Sequence, residues 1–212
     1  MAESVDQEMV DVSFTLPGGR LPVDHAYALS RAIGGALPWF AEEPLARLHQ
    51  VHTAATGSGW MRPDACPGEE LHLSRRTRLR LRVPAHRSPA VLALAGRTLD
   101  VAGYALTPGA GKVVALLPAS TLLVRHVLCE AGEDEARLVV RINETLRACS
   151  VTGASLIFGR AQHIATPESL LHTRSVVVKN LNADAAMVLL RMGIGGGGKL
   201  GCGICIPYKR ID

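Results

Sequence analysis

From Thr121 onward the chain alternates in a way that few folds can satisfy. Thr121–Leu128 reads as a strand, and Asp134–Cys149 carries helical periodicity through Ala136, Val139, Val140, Ile142 and Leu146. Ser155–Ile164 and Ser175–Leu181 read as strands. Asn182 is placed to cap a helix over Ala183–Met192, and Ile204–Tyr208 closes the run as a last strand. Strand, helix, strand, strand, helix, strand is the ferredoxin-like order, in which two helices cover one face of an antiparallel sheet.

The first half approximates the same order. Val10–Leu16 alternates apolar and polar residues, as a half-buried strand does. Asp24 is placed to cap a helix from His25 to about Gly34, which Gly34-Gly35 and Pro38 would end. Leu45–Thr53 is open between strand and short helix, and Thr56-Gly57-Ser58-Gly59 reads as a loop. Glu70–Leu73 and Arg76–Val83 read as strands, Ser88–Leu94 as a short helix, and Gly96–Leu106 as a strand broken near Gly103. With Pro108–Pro118 read as a linker, the expectation is an α+β chain of tandem ferredoxin-like domains, residues 1–108 and 119–212.

The final helix and final strand are joined by Gly193-Ile194-Gly195-Gly196-Gly197-Gly198-Lys199-Leu200-Gly201-Cys202-Gly203. Without a Cβ, backbone can approach a ligand closely, and successive N–H groups beside a lysine suit phosphate oxygens. A bare helix-to-strand connection is the structural alternative. No Gly-x-x-x-x-Gly-Lys-Ser/Thr loop is present, because Leu200 follows Lys199, so a phosphate-loop NTPase is excluded.

Charge points the same way. The net charge is +4, and 19 of the 23 basic residues are Arg, the side chain that grips phosphate with two donors and stacks on bases. Arg76, Arg78, Arg80 and Arg82 alternate with Thr77, Leu79, Leu81 and Val83, which places the four arginines on one strand face; Arg75 and Arg87 extend the basic region. Like charges so close repel unless an anion stands opposite, and an RNA backbone supplies one. Acidic side chains, or plain solvation, are the alternatives. Aromatic residues are 4% of the chain, too few for a base-stacking platform.

Cys66, Cys129, Cys149, Cys202 and Cys205 are an odd set, and with no secretory leader pattern they predict a reducing, cytoplasmic setting. Cys202 and Cys205 have knuckle spacing but no second pair, so no metal site and no cofactor are expected. No apolar run has the length of a membrane span.

Several features now stand in one order: the opening strand, Leu21-Pro22-Val23-Asp24-His25-Ala26-Tyr27-Ala28-Leu29, the Arg-rich Leu73–Arg82, Leu94-Ala95-Gly96-Arg97-Thr98-Leu99-Asp100, and the glycine-rich tail. Over nearly its whole length the chain resembles the CRISPR repeat-processing endoribonucleases of the Cas6 family, in particular members whose first helix begins Asp-His-x-Tyr-x-Leu. The resemblance implies two RNA-recognition-motif-like domains, binding of a CRISPR repeat hairpin, and one metal-independent cut at its base. It also implies that the enzyme stays on the mature crRNA with other effector subunits of a type I (Cascade) surveillance complex. The loop Gly195–Gly198 is less basic than that family pattern leads one to expect.

Cleavage without a metal uses the substrate's 2′-hydroxyl as nucleophile and leaves a 2′,3′-cyclic phosphate and a 5′-hydroxyl. It needs a base, an acid and a donor to stabilise the phosphorane. Histidine suits both proton roles. The resemblance places a catalytic histidine on or just after the first helix, which makes His25 the first candidate for general base and His52 the second. Tyr27 is placed to bond the scissile phosphate. The RNA-binding candidates are Arg75, Arg76, Arg78, Arg80, Arg82, Gly195, Gly196, Gly197, Gly198 and Lys199. Two alternatives remain: a non-catalytic subunit that holds the repeat hairpin in an effector or RNA-guided transposition complex, and a subunit serving protein assembly alone.

Overall fold

The computed structural model describes residues 8–52 and 69–208. The Thr56–Gly59 loop, Cys66 and the first seven residues lie outside that set. The chain divides into two compact units, residues 1–115 and 116–212.

The first unit runs β1 (Met9–Thr15), β2 (Gly19–Pro22), α1 (Ala26–Ala36), α2 (Trp39–Glu42), β3 (Arg47–Leu48), β4 (Glu70–Leu73), β5 (Arg78–Pro84), α3 (Ser88–Leu92), β6 (Leu99–Val101), β7 (Tyr104–Leu106) and β8 (Gly111–Ala115). Its main sheet has the order β3-β5-β1-β8 with antiparallel neighbours. That is the ferredoxin-like arrangement, the first and third main strands being central. Alternation along β1 sends Val10, Val12 and Phe14 into a core shared with Leu79, Leu81 and Val83 of β5. Ala26, Leu29 and Ile33 of α1 are buried at helical spacing, and Leu29 and Ile33 join that core. Each such side chain contributes roughly 1.5–3 kcal/mol on burial.

Four expectations change here. α1 continues through Gly34-Gly35 to Ala36, and the Leu37 N–H donates to the Ile33 carbonyl at 2.8 Å. Burial of Ile33 and Leu37 outweighs the glycine penalty of about 1 kcal/mol per residue. His25, rather than Asp24, is the N-cap. The segment 96–106 is the hairpin β6–β7, turning at Ala102 (φ 54°) and Gly103 (φ 84°). The strand that completes the sheet is β8, inside the stretch read as a linker.

The second unit runs β9 (Thr121–Cys129), α4 (Glu135–Ala148), β10 (Ser155–Ala165), β11 (Leu170–Lys179), α5 (Ala183–Met192) and β12 (Cys205–Pro207), with sheet order β10-β11-β9-β12. Its helices start where the side chains of Asp134 and Asn182 accept the backbone N–H of Arg137 and Ala185, both at 2.8 Å. Leu138, Ile142 and Leu146 of α4 and Ala186, Leu189 and Leu190 of α5 pack on Leu122, Val124, Val127, Val176 and Val178. Both units therefore have the expected tandem ferredoxin-like architecture. Among the described residues no helix is long and apolar enough to cross a membrane.

Candidate functional site

The candidate residues fall into two groups, one in each unit. In the first unit His25 sits at the start of α1 and is only 1% exposed. Its Nδ1 lies 3.0 Å from the Pro22 carbonyl and 3.2 Å from that of Val23, while its Nε2 accepts the Val51 N–H at 2.9 Å. Carbonyls only accept, so the proton sits on Nδ1 and the ring is neutral. Both nitrogens of this first candidate for general base are engaged inside the fold. Tyr27 is half-buried in the first turn of α1. His52 follows the buried Val51 and is partly exposed.

The arginine run separates into three environments. Arg75 and Arg76 precede β5 in an exposed turn, closed by Thr77 N–H to the Ser74 carbonyl at 2.9 Å and by Ser74 N–H to Thr77 Oγ1 at 3.0 Å. Arg78 spends one guanidinium nitrogen on the carbonyls of Arg75 (2.6 Å) and Thr77 (2.8 Å). Arg80 is exposed. Arg82 is 1% exposed and forms a two-point ion pair with Asp11, Nε to Oδ1 at 2.7 Å and Nη2 to Oδ2 at 3.1 Å. Arg82 therefore leaves the exposed basic face, and Arg76 is not on the strand. Part of the anion that the run demands is the protein's own Asp11, which stands opposite Arg82 in the β1–β5 register.

The sequence reading missed this cluster and its third member, His49, whose Nε2 lies 3.6 Å from Asp11 Oδ1. That is an electrostatic contact, too long for a hydrogen bond. Burial pushes the His49 pKa below its ordinary value, against the pull of Asp11. Burial also opposes ionisation of Asp11, but the contacts with His49 and Arg82 outweigh it and hold the carboxyl below the usual range. The available signal was Asp11 itself, an acid on the polar face of the alternating strand β1.

In the second unit the glycine-rich loop is ordered by its own bonds. Ile194 N–H donates to the Gly203 carbonyl (2.8 Å), Gly203 N–H to that of His126 (2.7 Å), and Cys202 N–H to that of Gly197 (3.1 Å). Gly203 has φ +67°, and a Cβ there would stand 2.5 Å from the Ile194 carbonyl oxygen. Cys202 is fully buried beneath the loop, which pushes its thiol up to about 12; this buried Cys is packing rather than a nucleophile. Gly195 and Gly196 are exposed. Gly197 is left-handed (φ 75°, ψ 22°) and leads into a 3-10 turn over Gly198–Leu200. A left-handed residue followed by a right-handed one turns successive N–H groups toward one side, the geometry of an anion-binding nest. Among the described residues none accepts from the N–H groups of Gly195–Gly198, and Lys199 is half-buried in the turn. Among the described residues no group of three or more His, Cys, Asp or Glu is arranged to hold a metal ion.

Residues 10–210 match the family model described as Cas6 Crispr. The chain belongs to the Cas6 family. It is 31% identical over 201 residues to the CRISPR-associated endonuclease Cas6 of Myxococcus xanthus (strain DK1622), covering 95% of this chain and 82% of that protein. Among solved structures it is similar to a CRISPR-associated protein Cas6 with TM-score 0.61 and 10% identity, over 96% of this chain and all (100%) of the other. It is also similar to the CRISPR endoribonuclease Cse3 bound to a 19-nucleotide RNA, with TM-score 0.50 and 12% identity over 94% of this chain and 98% of the other. At that identity the structural likenesses establish the fold, and they agree with the two ferredoxin-like units of this Cas6-family chain.

Proposed function

We propose that this chain is an endoribonuclease that binds a CRISPR repeat hairpin and cuts the precursor transcript once, at the base of the hairpin, without a metal. The reading rests most on one observation: the Cas6 family match spans residues 10–210 and so includes both ferredoxin-like units with the glycine-rich loop. In this reading His52 accepts the 2′-hydroxyl proton and Tyr27 donates to the scissile phosphate. Arg75, Arg76 and Arg80, exposed in the first unit, contact the RNA backbone, and Arg78 borders them. The amides of Gly195–Gly198, with Lys199, cradle phosphate in the second unit. Neutral histidine supplies the base at physiological pH, oriented donors stabilise the phosphorane that forms as the 2′-oxygen attacks, and the 5′-oxygen takes a proton from solvent water as it leaves to give the 5′-hydroxyl. After cleavage the chain stays on the mature crRNA as a subunit of a type I surveillance complex.

Single-turnover cleavage of a hairpin repeat RNA from the source organism's CRISPR array tests this reading. His52→Ala is expected to slow cleavage by about 10²–10⁴-fold, the range of a lost proton-transfer group, with RNA affinity retained. A wild-type chain that binds the hairpin and never cuts it would establish the non-catalytic alternative instead.

A further inference from the structure

His25 joins three parts of the first unit. Its own carbonyl accepts the Leu29 N–H at 2.8 Å and so opens α1. Its Nδ1–H points at the carbonyls of Pro22 and Val23, at the end of β2. Its Nε2 takes the N–H of Val51, 26 residues further on. Val51 is 1% exposed and directly precedes His52. The segment leading to it is pinned as well: Arg47 and Leu48 pair with Arg82 and Leu81, and the His49 N–H donates to the Arg80 carbonyl at 3.0 Å. From His49 to His52 the segment has no regular strand, and the imidazole supplies the acceptor that a sheet neighbour would otherwise give to Val51.

We infer that His25 is a positioning residue: it fixes the backbone at Val51 and thereby sets where His52 stands, without touching substrate. This rests on the reading of His52 as general base. A displacement of about 1 Å in a catalytic group can cost about 10²-fold in rate. One hydrogen bond at the adjoining residue therefore suffices to control the chemistry. The neutral Nδ1–H tautomer is needed for this role, because a proton on Nε2 would face the Val51 N–H donor to donor.

Paired substitutions separate this role from direct catalysis. His25→Gln keeps an acceptor near the position of Nε2, whereas His25→Asn keeps only a donor near that of Nδ1 and leaves the Val51 N–H unpaired. In single-turnover cleavage of the hairpin repeat RNA, His25→Gln is expected to stay within about 5-fold of wild type. His25→Asn and His25→Ala should fall about 10–100-fold in maximal rate with unchanged RNA affinity, the scale on which supporting-shell losses act. Gln as inactive as Ala, in a protein of wild-type melting temperature, would make His25 a proton-transfer group and overturn the inference; so would wild-type rates for all three. His52→Ala run in parallel keeps the two readings apart: full activity there refutes the His52 assignment, whatever the His25 series does. Nitrogen-15 correlation spectra of the wild-type imidazoles give a test that no folding defect can obscure. The inference requires the Nδ1–H tautomer at His25, and an Nε2–H tautomer contradicts it.

Discussion

Arg82→Met distinguishes a buried strut from an RNA contact. Arg82 is 1% exposed, and its Asp11 partner is 14% exposed, joined at 2.7 and 3.1 Å. At an effective dielectric of about 20, a pair near this distance attracts by roughly 4 kcal/mol. Removing one partner strands a largely buried charge and costs about 3–5 kcal/mol. For a unit of about 100 residues each kcal/mol shifts the melting temperature by roughly 4–8 °C, so a loss of at least about 12 °C is expected. The double change Asp11→Asn with Arg82→Met removes the stranded charge and should recover most of that loss. Arg80→Met, exposed on the same strand, should change stability by less than about 0.5 kcal/mol and reduce the salt slope of RNA binding by about one. Calorimetric melts and a salt series of binding isotherms measure both quantities. The reasoning is refuted if Arg82→Met melts like wild type while flattening the salt slope, or if the double change melts no higher than Arg82→Met.

Further outcomes follow from the same geometry. Gly203→Ala should cost about 2–4 kcal/mol in urea unfolding, combining left-handed strain of about 1–2 kcal/mol with the loss of a loop hydrogen bond, since its Cβ would meet the Ile194 carbonyl oxygen at 2.5 Å. Gly196→Ala, with no neighbour within 4 Å, should be neutral. Stability should fall on acidification in two stages. The lowered pKa of His49 gives a contribution complete above its ordinary value of 6.5 and lost as pH drops below it. The lowered pKa of Asp11 gives one complete above 3.8 and lost as pH drops further. Melting temperatures of wild type and His49→Gln should therefore converge as pH falls from 7 to 5. Gly35→Ala, exposed inside α1 with open space at its Cβ, should raise stability by about 0.5–1 kcal/mol.

The second unit was legible because its signals are local. Asp134 and Asn182 cap the helices that they precede, and each strand of the β9–β11 sheet alternates long enough to show its period. The first unit hides its sheet in long-range contacts. β3 is two residues long, and its place comes from pairing with β5. β8 follows Pro108-Gly109, which read as punctuation, yet the Gly109 N–H donates to the Thr15 carbonyl at 2.8 Å and a Cβ at Gly111 would lie 2.6 Å from the Phe14 ring. Those glycines permit close packing rather than mark a linker. The candidate site divides in the same way. The family pattern pointed to His25, Tyr27, the arginine run and the glycine loop, but a side chain's partner across the sheet is invisible in a local pattern. Alternation placed Arg82 with Arg80; only the register with Asp11 separates their environments. Likewise the bond from Val51 to His25 spans 26 residues and has no local signature.

The most direct test of the account is the chemistry of the ends that the chain produces. Purified protein incubated with the hairpin repeat RNA in excess EDTA should release a fragment ending in a 2′,3′-cyclic phosphate and another beginning with a 5′-hydroxyl, at undiminished rate. A cut that requires added divalent metal, or one that leaves a 3′-hydroxyl and a 5′-phosphate, would contradict it.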